Sequence, residues 1–325
     1  MALDLPDWPM FGLTDDVRSA LARAREAGET AALATIVSLD GGGPRPVGAQ
    51  MSFTAREACG FLSGGCLEAD LAGHAKAVIA DGAARRLVYG HGSPWPDIRL
   101  LCGARIEILL EAVAPDDPAV GSLLAAMHAR RPALWVTDGS RRQCAAPGSV
   151  QAWQGAFVRR YDPVTRLVVL GADPTALAIA RLGVEAGLET TLIRPKGPAA
   201  PPPIAGLAYS REAPAAALAA IGLDPWSAVA VATHEAELDH AALVVALPSA
   251  AFFVGALGAR RRVEDRRAML RDAGLADSGI DRLHSPIGLD VGGKAPVEVA
   301  VATLAQIIQV REQLRASETT RTSGV

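Results

Sequence analysis

The chain has 325 residues, half of them hydrophobic, a length that fits two average domains with enough apolar material for a core in each. Aromatic residues make up 4% and the formal net charge is −3, so neither a base-stacking platform nor a global positive field is present. Binding to nucleic acid or to an anionic membrane surface is therefore not expected. The stretch MALDLPDWPMFGLTDD has no basic region followed by a long apolar run, which points to a cytoplasmic location. Residues 241–259 carry no charge, but Pro248, Ser249, Gly255 and Gly258 interrupt them, and they read as a buried helix followed by a buried strand. The cysteines at 59, 66, 102 and 144 lack C-x-x-C spacing and a nearby His pair, so free thiols are expected rather than a zinc site or a redox dithiol.

In chain order, residues 14–28 read as an amphipathic helix with Thr14 as N-cap and Gly28 as stop, followed by the strand AALATIVSL. The loop DGGGPRPVG comes next, then strand-like MSFT and GFL. A glycine turn, SGGC, opens the helix CLEADLAGHAKAVIADG, and strands RRLVYG and ARIEILLEAV complete an N-terminal α/β domain over 1–115. Residues 116–164 read as a connecting region of one helix and two or three strands. From 165 to 312 strands and helices alternate, which implies a parallel, Rossmann-like sheet, and 313–325 is expected to be a disordered tail.

A dinucleotide-binding turn reads G-x-G-x-x-G, whereas the turn after RLVVLG reads Gly171-Ala172-Asp173-Pro174-Thr175-Ala176. Asp173 would set a carboxylate against a diphosphate; alternatively it caps the helix whose first residue is Pro174. The second strand ends in Arg194 where a ribose-binding acid would stand, and this Arg either meets a phosphate or is a solvated surface charge. Ordinary NAD-dependent catalysis is disfavoured on both counts. Cys66, behind Gly64 and Gly65 at a helix start, is either an acidified thiol or a small packed residue, and Cys102 shares that ambiguity. Cys59 and Cys144 read as packing residues. Arg45, between two prolines, either grips a phosphate or closes its loop on a carbonyl. Arg260, Arg261 and Arg262 stand where a strand end meets a helix, either at the ligand edge or on a solvated face. His234 and His284 read as structural, and G-x-S-x-G, H-E-x-x-H and Walker A motifs are absent.

The set PRPVGAQM, SGGCLE, LLCG, AVATHEAELD, FFVGALGARRR and LHSPIGLDVGGKAPVEVAV, in this order and spacing, resembles the XdhC/CoxI family from about residue 30 to 312. The resemblance implies an accessory protein without catalytic residues of its own. Such a protein binds and protects the molybdenum cofactor, as molybdopterin or its cytosine dinucleotide, and supports its sulfuration by a cysteine desulfurase. It then delivers the cofactor to a xanthine dehydrogenase-like molybdenum hydroxylase. Cys66 and Cys102 fall on the family's cysteine motifs and become the candidates for molybdenum contact or sulfur carriage. Arg45, Gly64, Gly65, Gly171, Arg260 and Arg261 become candidate cofactor-binding residues, with the cofactor expected in a cleft between the domains. The sequence departs from the family at Ala104, at Gly42 and Gly43, at Asp173 and at Ala295. An NAD(P)-dependent oxidoreductase and a thiol-based sulfurtransferase are the alternative functions. A homodimer is the oligomer considered, which the sequence does not fix.

Overall fold

A computed structural model of the protein describes residues 5–43, 45–63, 65, 67–91, 93 and 105–322, and its chain divides into two units, Met1–Pro163 and Val164–Val325. In the first unit, helix α1 (Arg18–Glu26) starts later than expected, because Asp16 rather than Thr14 accepts the first free amide, that of Arg18, at 3.0 Å. Gly28, at φ +67°, stops the helix, and the Glu29 amide reaches back to the Ala24 carbonyl. Strands β1 (Ala31–Asp40), β2 (Gln50–Phe53) and β3 (Ala58–Gly60), helix α2 (Glu68–Asp81), and strands β4 (Arg85–Gly90) and β5 (Arg105–Val113) follow. The strands form one antiparallel sheet in the order β3-β2-β1-β5-β4. Strand β1 is buried on both faces. Ala32, Ala34 and Ile36 pack with Leu71, Ala75 and Val78 of α2, while Ala31 and Leu33 pack with Leu21 and Ala24 of α1.

Helix α3 (Pro118–His128) and strands β6 (Ala133–Thr137), β7 (Arg142–Ala145) and β8 (Phe157–Tyr161) come next, the strands forming a three-stranded antiparallel sheet, β7-β6-β8. The sequence left this segment as a connector, but it packs as part of the N-terminal unit. Leu123, Trp135 and Tyr161 share a core with Leu21, Leu33 and Val113. Buried polar links join the same pieces: Tyr161 donates to Gln50, whose Nε2 donates to Thr35 Oγ1 at 3.0 Å. Glu111, fully buried on β5, accepts from Thr137 at 2.7 Å and pairs with Arg142 at 3.1 Å, and Arg142 also holds Asp117 at 2.8 Å. Burial pushes the Glu111 carboxyl above its ordinary value, and Arg142, Thr137 and Trp135 pull it only part of the way back.

The second unit runs β9 (Arg166–Gly171), α4 (Pro174–Glu185), β10 (Glu189–Ile193), β11 (Ala208–Ser210), α5 (Pro214–Ile221), β12 (Ser227–Ala232), α6 (Ala236–Ala246), β13 (Phe253–Ala256), α7 (Val263–Asp272), α8 (Asp277–Ile280), β14 (Leu283–His284) and α9 (Pro296–Thr322). Its six strands are parallel in the order β11-β10-β9-β12-β13-β14, a doubly wound Rossmann sheet. Both faces are covered, which explains the unbroken apolar strands. Leu167 and Val169 pack with α4 and α9, and Val168 and Leu170 with α5, α6 and α7. The stretch 241–259 contributes the end of α6 and strand β13, as its interrupted pattern predicts. Among the described residues no helix is long and apolar enough to cross a membrane. Helix α9 continues through 313–322, where the sequence pointed to a disordered tail.

Gly171 sits where β9, α4 and β12 come closest: a Cβ there would lie 2.3 Å from the Ala232 carbonyl oxygen and 2.5 Å from Ala176 Cβ. Gly73, inside α2, has nothing within 4 Å of that position. Gly171→Ala should therefore destabilise the protein by about 1–3 kcal/mol, whereas Gly73→Ala should stabilise it by up to about 1 kcal/mol. Urea denaturation of the two variants, with opposite shifts of the midpoint, checks this.

Candidate functional site

Between β9 and β12 the strand order reverses, and ligands of open parallel sheets bind beyond the strand ends at such a point. A cavity of about 300 Å³ lies there, and its polar lining includes Asp173, Arg194, Lys196, Thr233, His234 and Glu235. Asp173 is the N-cap of α4: its Oδ1 accepts from the Ala176 amide at 2.8 Å, in front of Pro174 at the first helical position. Its Oδ2 accepts from His234 Nε2 at 3.0 Å. One carboxylate thus occupies the helix start and also anchors the opposite wall. The helix dipole and free amides that would favour a bound diphosphate are answered by the chain's own negative charge.

The facing wall is cationic. Residues 194–197 form a tight turn closed by the Gly197 amide donating to the Arg194 carbonyl at 3.0 Å. Lys196 takes φ +57°, a left-handed conformation that costs a residue with a side chain roughly 1–2 kcal/mol. The Arg194 stem lies over Gly197, where a Cβ would meet Arg194 Cγ and Cδ at 2.9 Å. The Arg194 and Lys196 side chains have no hydrogen-bond or ion-pair partner among the described residues.

The arginines of the 260–262 turn do not join this cavity. Arg260 pairs with Asp290 at 2.7 Å, both strongly exposed, and Arg261 is exposed. Arg262 lines a separate cavity of about 200 Å³ between α6 and α7, with Asp239, His240, Asp265 and Arg266. There Arg266 donates to Ser285 Oγ at 2.8 Å, to the Leu257 carbonyl at 2.9 Å and to Asp239 at 3.3 Å, fastening the HSPIGLD loop. Burial pushes the Asp239 carboxyl up, against the pull of Thr233 and Arg266. His284 stacks on Phe253 at 4.5 Å and burial lowers its pKa, in keeping with a structural role.

In the N-terminal unit, amides of the described residues 62, 63, 65 and 67 converge on Glu68. This buried carboxylate accepts from the Leu62 and Ser63 amides at 3.1 and 2.8 Å, from Ser63 Oγ at 2.6 Å, and from the Gly65 and Leu67 amides at 2.9 and 3.3 Å. Burial alone would raise its pKa; the hydrogen bonds from Ser63 and Leu62 outweigh it and hold the carboxyl below its ordinary value. Gly65 takes φ +98°, which a side chain would strain. Gly64, Cys66 and Cys102 lie outside the described residues. Arg45 pairs with the exposed Asp15, while its buried Nε has no partner among the described residues. Burial raises the Cys59 thiol and pushes Cys144 up to about 11, as suits packing residues. Among the described residues no group of three or more His, Cys, Asp or Glu is placed to hold a metal ion.

Family models described as "XdhC Rossmann domain" and "XdhC and CoxI family" match residues 167–307 and 24–90. The chain is 30% identical over 308 residues to the molybdenum cofactor insertion chaperone PaoD of Escherichia coli, spanning 92% of this chain and 90% of that protein. The chain belongs to the XdhC/CoxI family. A probable xanthine dehydrogenase subunit of Bacillus subtilis is 24% identical, over 88% of this XdhC/CoxI chain and 94% of its own. A solved structure described as a xanthine dehydrogenase from Bacillus halodurans superposes with a TM-score of 0.75 at 25% identity, covering 92% of this chain and 96% of the other.

Two residues of this XdhC/CoxI chain, Glu68 and Lys196, went unnoticed in the sequence. Glu68 stands five residues after Ser63 in SGGCLE, a position from which an acid can reach back over a glycine turn. Glu68→Gln removes the charge and turns an acceptor into a donor, and should cost about 1–3 kcal/mol. Because the folded pKa is depressed, wild-type stability from this group is present above its ordinary value of 4.5 and is lost as the pH falls through the lower folded value. The gap between wild type and Glu68→Gln should therefore narrow in acid, as read from denaturation midpoints at pH 7 and near pH 3.

Proposed function

We propose that this chain binds the molybdenum cofactor, shields it, supports its sulfuration together with a cysteine desulfurase, and passes it to a xanthine dehydrogenase-like molybdenum hydroxylase. The observation that carries the reading is the similarity to a molybdenum cofactor insertion chaperone along nearly the whole of both proteins. The described residues fit the phosphate-bearing end of such a cofactor. The switch-point cavity has a cationic wall, Arg194 and Lys196, whose side chains have no partner among the described residues. Arg45, paired with an exposed Asp15, is a third cation, one that can exchange its partner for a phosphate. Contact with the metal is assigned to Cys66 and Cys102, and the cofactor, when bound, supplies the molybdenum redox chemistry that the client enzyme uses. The chain's own residues hold and orient. Nicotinamide dinucleotide chemistry is disfavoured, since Asp173 presents a carboxylate where the diphosphate of such a cofactor would rest.

Protein purified from a molybdenum-replete host should yield a fluorescent pterin after oxidation, and absence of pterin, also after incubation with released cofactor, would discard the function. Cys66→Ser and Cys102→Ser should each reduce retained molybdenum or activation of an apo-hydroxylase at least about tenfold. Unchanged activation by both variants would remove the cysteines from the site.

A further inference from the structure

We infer that the switch-point cavity of the Rossmann unit selects a ligand ending in a phosphate monoester and turns away a diphosphate diester. Under the function proposed above, on which this last step rests, it therefore takes molybdopterin rather than its cytosine dinucleotide.

The two anions carry nearly the same charge, about −2 each, so discrimination must come from where the cations and the carboxylate stand. A diphosphate diester is gripped at its middle, by the first amides of the helix after the first strand. Here that place is filled. Asp173 Oδ1 already accepts from the Ala176 amide, and Oδ2 is held by His234. A diphosphate would have to displace this carboxylate from both partners or lie against it. A phosphate monoester is gripped at its end, and a cationic end wall is what the cavity offers. Arg194 and Lys196 line it from the loop after β10, their side chains without partners among the described residues. A guanidinium can take two oxygens of a terminal phosphate side by side and an ammonium the third.

The backbone supplies an independent reason to regard this wall as built. The turn places Lys196, not the neighbouring Gly197, at positive φ. The closed turn, with Pro195 second and Lys196 third, fixes the lysine backbone in that conformation and sets its side chain on the same loop as Arg194. Gly197 leaves room for both the Tyr209 hydroxyl, 2.2 Å from where a Cβ would stand, and the Arg194 stem at 2.9 Å.

The test uses cytidine 5′-monophosphate as monoester and ADP-ribose as diphosphate diester, titrated into the full chain by calorimetry. The monophosphate should bind at least about tenfold more tightly than ADP-ribose. Arg194→Gln, which keeps a stem over Gly197, and Lys196→Gly, which relieves the backbone while removing the charge, should each weaken the monophosphate about tenfold and leave the melting temperature no lower. Asp173→Ser keeps a helix cap but removes the negative charge and the second oxygen, and should bring ADP-ribose to within about threefold of the monophosphate. Equal or tighter binding of ADP-ribose by the wild type overturns the inference. So does binding of neither probe at millimolar concentration, or monophosphate binding indifferent to both cation variants. Analysis of copurified pterin separates the two proposals: a dinucleotide form bound sinks this inference and leaves the cofactor role standing. No pterin, with nucleotide selectivity as expected, sinks the cofactor role and leaves the selectivity.

Discussion

A carboxylate at the start of a helix governs the C-terminal unit. The first amides of α4 point out of the sheet's ligand edge with no intrahelical acceptor, and something negative must meet them. In a dinucleotide-binding domain the ligand does so. In this chain Asp173 does, and the same carboxylate ties down His234 across the crevice from the end of β12. The Ala176 amide is thereby met without a ligand, and the polar work left for the crevice passes to Arg194 and Lys196 on the far wall. Gly171, the one glycine of the motif retained, is there because β9, α4 and β12 approach too closely for a Cβ.

The N-terminal unit solves a similar problem in a similar way. Its glycine turn gathers backbone amides that converge like an anion nest, and Glu68 fills the nest from the first turn of α2. Five hydrogen bonds from four residues exceed what is needed to offset burying one carboxylate, which is why its pKa falls despite burial. Both glycine-rich turns that invite a ligand reading are thus organised internally by acids. What they present outward is a fixed backbone shape, on which neighbouring side chains are displayed.

Much of this was legible in the sequence. Strands such as RLVVLG and SAVAVA, apolar throughout and separated by helical segments, can only be buried on both faces, so the parallel sheet follows from pattern alone. Asp173 as a cap was legible because Asp followed by Pro is a local signature. Its partnership with His234 was not, since 61 residues separate them and nothing local encodes the pairing. The positive φ fell on Lys196 although Gly197 beside it could adopt it without strain, so composition pointed one residue away from the special position. The XdhC/CoxI resemblance was carried by dispersed short motifs, and it is matched by family models in both units. The arginines at 260 and 261 were placed by sequence at the right edge of the sheet, yet they turn to Asp290 and solvent rather than to the crevice, an orientation set by the short turn before α7.

The allegiance of the connecting segment stayed open in the sequence because its defining contacts are long-range: Tyr161 with Gln50, and Arg142 with Glu111. Those contacts bear on how the protein can be divided. A fragment ended at residue 115 would keep Glu111, buried on β5, and discard Thr137, Trp135 and Arg142, its charge and hydrogen-bond partners. It would also uncover the apolar face of β1 that α3 and the small sheet close. The structural module at this end of the chain is therefore the piece through residue 163, and the second sheet travels with the first in any fusion or truncation.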